Sequence, residues 1–360
     1  MICGFIGLGL IGGSIAKALK NYDSTISVTA YDPNTEMLQL AHKEGIVNKT
    51  ASGINEDFSD CDILFLCAPV SSNDSNLKGL KDILKPDCIL TDVGSVKSTI
   101  HSAINELGLN EYFIGGHPMA GSERIGYANS NPLLLQNAYY ILTPTNEVAE
   151  SKITFFSGLI SGIGAIPLIM PYEKHDYITA GISHLPHVIA SALVNLVRKK
   201  DGDDQSMKRI AAGGFKDITR IASSSPVMWE HICMTNTDNI LGFLDDFMEV
   251  LKEIRTDISD RKREEIHKFF QQARTYRDSF INADSGPIKR VFDFTVDIED
   301  KSGALASLVT LLAAHEISIK NIAIMHNREL REGSVRLEFP DEASLANAKE
   351  ILLQNGYVTH

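Results

Sequence analysis

The 360-residue chain is short of several features that would define its class at once. Its five cysteines (Cys3, Cys61, Cys67, Cys88 and Cys233) lie mostly in apolar runs and form no C-x-x-C pair. That excludes a disulfide framework or a zinc ribbon as its organising device, and buried free thiols in a reducing, cytoplasmic setting are expected instead. No apolar run approaches the ~20 residues of a membrane span. Met1-Ile-Cys-Gly-Phe-Ile-Gly runs straight into a strand-like stretch with no basic region ahead of it, so no signal peptide is expected. Basic blocks are missing too: 34 Lys and Arg stand against 46 Asp and Glu, a formal charge of −12. Nucleic acid and anionic membranes are therefore not expected as partners, although a few local cations could still hold an anionic small molecule in a cleft. What remains is an ordinary globular balance, 44% apolar and 22% charged, at a length that predicts two or three domains.

Three stretches follow from the hydrophobic patterning. Residues 1–170 alternate short β-branched runs (Ile2–Ile6, Ser27–Tyr31, Ile63–Cys67, Ile89–Asp92, Tyr139–Leu142, Ile166–Met170) with helical segments, which predicts an α/β domain with a doubly wound Rossmann-type sheet. From Pro171 strand signals vanish. Segments of helical period (Asp176–Lys199, Gln205–Ser223, Pro226–Thr256, Ser259–Phe280) predict a mainly helical second domain over 171–283, broken at Asp201-Gly-Asp-Asp204 and Ser223-Ser-Ser-Pro226. The last of these segments is rich in interleaved charge and reads as a solvated helix. A linker, Asn282–Pro287, leads to residues 289–360, whose β-α-β-β-α order, with a short closing strand at Tyr357–Thr359, predicts a ferredoxin-like module.

Gly7-Leu8-Gly9-Leu10-Ile11-Gly12 matches G-x-G-x-x-G. Alone the pattern is weak, but here it follows a strand, opens a helix, and has an acidic residue, Asp32, at the end of the next strand. Gly7 permits the turn, Gly9 lets backbone approach a pyrophosphate, and Gly12 lets helix and strand pack, with Leu10 and Ile11 at the helix N-terminus that receives the anion. Asp32 would accept the ribose hydroxyls and repel a 2′-phosphate, so NAD is expected rather than NADP. Its other reading is a cap for the helix that follows. Ala68 and Pro69, after the strand Ile63–Cys67, lie where ligands gather in such sheets.

Four polar clusters stand against apolar surroundings: Gly94-Ser95-Val96-Lys97, Gly115 to Glu123, Ser183-His184-Leu185-Pro186-His187, and Gly213 to Arg220. The first two are expected on loops of the nucleotide domain and the last two on helices of the second domain. With the glycine loop, the strings Gly-Gly-His117-Pro-Met-Ala-Gly-Ser-Glu, His184-Leu-Pro-His187 and Gly-Gly-Phe-Lys216-Asp-Ile-Thr-Arg220, in that order, resemble the prephenate dehydrogenase family over residues 1 to about 280. Residues 289–360 resemble an ACT regulatory module.

The resemblance implies NAD-dependent oxidative decarboxylation of prephenate to 4-hydroxyphenylpyruvate. His117 would be the imidazole that binds the substrate hydroxyl and accepts its proton, with activity falling as pH drops through an ordinary imidazole pKa of ~6.5. Ser95 would hydrogen-bond that imidazole beside the nicotinamide; its plainer reading is a helix N-cap. Arg220 would bind a substrate carboxylate in bidentate fashion, with Lys216 one turn away, where the plainer reading is an Asp217–Arg220 pair. His187 would touch the polar end of the substrate, and His184 would contact it or only pack. Ser122 and Glu123 would line and gate the pocket. His184 and His187 also read as H-x-x-H, but no third ligand stands at metal spacing, so no metal is expected. His175-Asp176 and Trp229 are family-like without an evident task. In the C-terminal module, Asp300, Gly303 and Ala304 would form an effector loop for L-tyrosine, although Ser302 stands where such loops commonly have Pro.

Arogenate dehydrogenase is the nearest rival reading. A β-hydroxyacid dehydrogenase and a non-catalytic NAD-sensing regulator are more distant. The apolar content of the helical segments predicts a homodimer.

Overall fold

The computed structural model describes residues 1–68, 73–121, 124–279, 292–299, 301–325 and 333–360. The expected linker at 282–287 lies outside them, as do Pro69, Ser122, Glu123 and Asp300. The chain divides into two compact units, residues 1–251 and 252–360.

In the first unit five short strands form a parallel sheet: β1 (Ile2–Ile6), β2 (Ser27–Tyr31), β3 (Lys49–Thr50), β4 (Ile63–Leu66) and β5 (Ile89–Asp92). Their order is β3-β2-β1-β4-β5, so the winding reverses between β1 and β4. Helices α1 (Leu10–Tyr22), α2 (Thr35–Lys43), α3 (Asn73–Leu80) and α4 (Ser98–Leu107) cover the two faces. The strands are near-continuously apolar because both faces are buried. Phe5 and Phe65 stack at 4.8 Å in one core with Ile15 and Leu19 of α1. Ile6, Leu64 and Leu66 join Ile100 and Ile104 of α4 in the other. Burying each such side chain is worth about 1.5–3 kcal/mol, so a period-2 pattern with a polar face would forfeit one of the two cores.

A second, three-stranded sheet follows. It contains β6 (Ile114–Pro118), β7 (Tyr139–Pro144) and β8 (Ile166–Ile169), with α5 (Glu150–Gly162) between β7 and β8. Strand β6 runs antiparallel to β7, and β7 runs parallel to β8. Two expectations are corrected here. The expected single sheet is two, meeting at a bridge between Leu90 and Phe113. Gly115-Gly116-His117 is strand, not loop. A Cβ on Gly115 would lie 2.3 Å from Thr143 Oγ1, and one on Gly116 would lie 2.5 Å from the Asp92 carbonyl oxygen. The glycine pair therefore serves close approach to β5 and β7, a use that looks like a turn when only the sequence is read.

The helical stretch starts with α6 (Tyr172–Thr179), widens into one π-helical turn at Ala180–His184, and continues as α7 (Leu185–Lys200). By length and composition Tyr172–Lys200 is apolar enough to cross a membrane, contrary to the expectation that no run approaches that length. Its polar groups His175, Asp176 and His184 are buried and hydrogen-bonded within the fold, while only 17% of its most apolar window is buried. After the expected break come α8 (Ser206–Ile210) and α9 (Gly213–Thr219), then a tight turn at Arg220–Ser223. The segment Pro226–Thr256, expected as one helix, is α10 (Pro226–Thr235) and α11 (Thr237–Ser259), interrupted at Asn236.

In the second unit α12 (Arg263–Ser279) buries none of its residues and carries an Arg274–Asp278 pair at 3.7 Å, as its charge pattern predicts. Then come β9 (Phe292–Ile298), α13 (Ala304–Ala314), β10 (Asn321–Met325), β11 (Gly333–Phe339) and α14 (Glu342–Gln354). The antiparallel sheet runs β10-β11-β9, and residues 358–360 bond to the free edge of β9. Phe294, Val296, Leu308, Leu312, Leu337 and Leu352 fill its core. This is the split β-α-β-β-α-β plan the sequence predicts.

Candidate active site

The dinucleotide loop is built as its glycines require. Gly7 has φ +91°, and a Cβ there would lie 2.5 Å from the Ala68 backbone N. A Cβ on Gly12 would lie 2.7 Å from the Gly7 carbonyl oxygen, so the turn and the α1–strand contact both exclude a side chain. Gly9 differs: a Cβ there meets nothing within 4 Å. It stands at the N-cap of α1, where no side chain satisfies the backbone donors. This is an open cradle under free N–H groups, and it fits a pyrophosphate laid against the N-termini of Leu10, Ile11 and Gly12. Asp32 ends β2 with its carboxylate accepting from the Leu8 N–H at 2.7 Å and the Asn34 N–H at 2.7 Å. The cap of α2 is Asn34, accepting from Met37 N at 3.2 Å, so the capping reading of Asp32 falls away.

Below the end of β5 a buried ion pair organises the Gly-Gly-His strand. Lys97 is 0% exposed and Asp92 is 2% exposed. Lys97 Nζ donates to Asp92 Oδ2 and, at 2.7 Å, to the Gly116 carbonyl. Asp92 in turn accepts from Gly94 N at 2.9 Å and Gly116 N at 3.1 Å. Burial pushes the Lys97 ammonium below its ordinary pKa, against the pull of Asp92. Both members of this buried pair thus have partners, which is the condition for keeping them there.

His117 leaves β6 next to this pair. Its Nδ1 lies 2.8 Å from Nε2 of His175 on α6, with the two rings edge to face. Nδ1 of His175 lies 2.7 Å from Asp176 Oδ1. Burial, with His175, Lys97 and His184 nearby, holds the His117 imidazole pKa well below 6.5. The expected loss of activity at ordinary imidazole pH is corrected accordingly, because this ring stays neutral to lower pH. Asp176 also caps α4 from another element, accepting from Lys97 N and Ser98 N at 2.8 Å each and from the Ser98 hydroxyl. Burial alone would raise the Asp176 carboxyl, but its hydrogen bonds from His175, Ser98 and backbone hold it below its ordinary value. Since Asp176 caps α4, Ser95 does not, which removes the plainer reading of that serine.

The second helical cluster continues from here. Asn236, at the break between α10 and α11, donates to the Asp176 carbonyl at 2.8 Å and lies 3.1 Å from Nδ1 of His184. The π-helical turn sets His184 edge-on to Trp229 at 6.0 Å between centroids, and burial pushes its pKa down to about 4. His187 stacks on Trp229 at 3.8 Å and binds the Ser183 carbonyl through Nδ1 at 2.9 Å. Burial first, then the Arg220 guanidinium, lowers the His187 pKa, so Arg220 stands within electrostatic reach of that ring. His184 is near enough to influence His117, His187 to influence His184, and Arg220 to influence His187. Lys216 is exposed on α9. His184 and His187 each have Nδ1 engaged by protein, and among the described residues no group of three His, Cys, Asp or Glu could hold a metal.

In the second unit Gly303 has φ +91° at the start of α13, next to Ala304, and a Cβ there meets nothing within 4 Å. The cysteines are free, and burial pushes Cys3, Cys61 and Cys88 up to about 12. Sequence reasoning assigned no task to Asp92, Lys97, His175, Asp176 or Asn236. The available signal was polar residues inside apolar helical or strand pattern, and only the packing says what they bind.

Residues 15–167 match the family model of the prephenate dehydrogenase nucleotide-binding domain, and residues 171–272 that of the prephenate dehydrogenase dimerization domain. A prephenate dehydrogenase from Bacillus subtilis is 34% identical over 348 residues, covering 96% of this chain and 94% of the relative. A crystal structure of prephenate dehydrogenase from A. aeolicus, in complex with hydroxyphenyl propionate and NAD+, is similar at TM-score 0.73 and 32% identity over 78% of this chain and 98% of that one. A Synechocystis arogenate dehydrogenase structure is similar at TM-score 0.70 and 29% identity, over 78% of this chain and 100% of that one.

Proposed function

The chain belongs to the prephenate dehydrogenase family, and from that premise we infer the reaction it runs: NAD-dependent oxidative decarboxylation of prephenate to 4-hydroxyphenylpyruvate. The observation that carries the residue assignment is His117, a neutral imidazole beside Asp92 and Lys97 at the end of β5. The ends of β4 and β5 flank the reversal of strand order, where a cofactor held by Gly7–Gly12 places its reactive ring.

Bound NAD supplies the acceptor for the hydride that leaves ring carbon 4. The protein does the rest. His117 accepts the hydrogen bond of the 4-hydroxyl, taking its proton as carbon 4 gains carbonyl character. The proton returns to that oxygen when the ring carboxylate departs as CO₂ and its electron pair closes the aromatic ring. The product is a phenol, so no net proton leaves. Ser95 lies two residues from Lys97 and orients the same hydroxyl. Arg220, within electrostatic reach of His187, pairs with a substrate carboxylate, a task for which a guanidinium is better shaped than an ammonium. Lys216, exposed one turn away, steers the dianion.

Two finer readings accompany this one. The apolar side chains left outward on the helical stretch, among them Ile182, Leu196, Met234 and Leu241, would be covered by a second copy. Residues 289–360 are an ACT module that takes L-tyrosine at the Gly303 turn. The split β-α-β-β-α-β plan and the left-handed glycine at the helix start support this. NADH formation with prephenate and with arogenate, each with and without tyrosine, tests the set. Turnover of prephenate is expected, inhibited by tyrosine in a pattern not competitive with substrate. Failure to oxidise either compound overturns the assignment, and competitive inhibition moves tyrosine to the active site.

A further inference from the structure

Asp176 and His175 stand behind His117 in a single line of hydrogen bonds whose donors and acceptors, with both rings neutral, can be assigned in only one order. Asp176 is a carboxylate, since four donors converge on it: two backbone N–H groups, the Ser98 hydroxyl and Nδ1 of His175. A carboxylate only accepts, so the proton of His175 sits on Nδ1. Nε2 of His175 then carries a lone pair. At 2.8 Å from it, Nδ1 of His117 must be the donor. That leaves Nε2 of His117 as the bare nitrogen, the atom that has to meet the substrate hydroxyl.

We propose that His175 and Asp176 are positioning residues for the oxidation, selecting the one tautomer of His117 whose Nε2 can accept the hydroxyl proton. The inference rests on His117 being that acceptor. It goes further, in that the base is dictated from α6 and not by its own strand. Both residues are fully buried and α6 is anchored by Asn236 at the Asp176 carbonyl, so the ring of His175 has no freedom to turn. When Nε2 of His117 takes a proton, the Nδ1–H bond to His175 strengthens and the buried carboxylate at 176 stabilises the positive charge two rings away. Nothing else along the line needs to move.

Asp176→Asn removes the charge that fixes the order: Oδ1 of Asp176 accepts from both Lys97 N and Nδ1 of His175, so neither orientation of the amide satisfies all four donors, and the buried negative charge that stabilises protonated His117 is lost. Expected is a fall in kcat of at least ~10²-fold, the scale of a lost general base, with KM for prephenate and the dissociation constant for NADH within about twofold of wild type. His175→Phe keeps the Asp176 cap of α4 and removes the acceptor, so it loses kcat with the same unchanged KM. Should either variant fail to fold, nitrogen NMR of the wild-type enzyme reads the tautomer directly, with a protonated Nδ1 on His117 expected. A protonated Nε2 there, or either folded variant turning over at the wild-type rate, overturns the proposal. His117→Asn is the control: if it is inactive while Asp176→Asn is fully active, the base assignment stands and the positioning role fails. If His117→Asn is itself active, the reading beneath both fails.

Discussion

Replacing Lys97 with Met tests how far the site depends on its buried charge. The two side chains are similar in length, so the substitution leaves little void. It removes the cation from a position 0% exposed and strands the Asp92 carboxylate at 2% exposure. Asp92 keeps the backbone donors of Gly94 and Gly116, but the Gly116 carbonyl loses its lysine donor. Breaking such a pair from one side costs about 3–5 kcal/mol, because the remaining charge is uncompensated. With unfolding entropy near 2.1 cal/mol/K per residue, a unit spanning Met1–Leu251 loses roughly 6–10 °C in Tm. Calorimetry at pH 7 measures it. Adding Asp92→Asn should recover at least half of the loss, since it removes the stranded charge. The deficit of the single variant should also shrink as pH falls, because an unpaired buried carboxyl has a folded pKa above its unfolded one and regains stability on protonation. A Tm within about 2 °C of wild type would refute the reasoning.

Other outcomes follow from the same geometry. His117→Asn should lower kcat by ~10²–10⁴, and because burial holds this imidazole pKa well below 6.5, the acid limb of the wild-type rate profile should lie below that pH. Gly9→Ala should leave Tm unchanged, its Cβ meeting nothing in the free protein, while raising KM for NAD at least tenfold by filling the cradle. His101, stacked on Tyr172 at 4.3 Å and bound to Thr143, is held near pKa 4 by burial and by Lys97, as His184 is by burial. Both are neutral in the fold, so the unfolded chain takes up more protons as pH drops below ~6.5. Stability is then lost on acidification, about 2 kcal/mol for each between pH 7 and pH 5. Urea melts at the two values measure the loss, and His101→Phe should reduce it by about 2 kcal/mol. An unchanged difference in that variant would count against burial as the cause.

The nucleotide-binding half was legible because its signals are local. A strand, a G-x-G-x-x-G turn and an acidic strand end fall within 32 residues, and each glycine acts on backbone within its own neighbourhood. The ferredoxin-like plan of the C-terminal module was legible for a similar reason, its five elements following one another with clear periodicity. The Gly115-Gly116 pair was misread, because two glycines look alike whether they make a turn or let a strand pass against β5 and β7. The single helix expected over Pro226–Thr256 was misread too, because the break at Asn236 has no Pro or Gly to announce it. It exists because that side chain is needed at Asp176 and His184.

The residue types proposed for the chemistry, and the acidic strand end on which an expectation of NAD over NADP rests, were written in the chain alone: a carboxylate repels a phosphate wherever the rest of the protein lies. The state of those residues was not. That His117 is neutral, which of its nitrogens is bare, and why a lysine is buried beneath it all depend on partners 24 to 79 positions distant in sequence. Hydrogen bonds and desolvation act through space over a few ångströms, and only the folded chain determines which groups come that close.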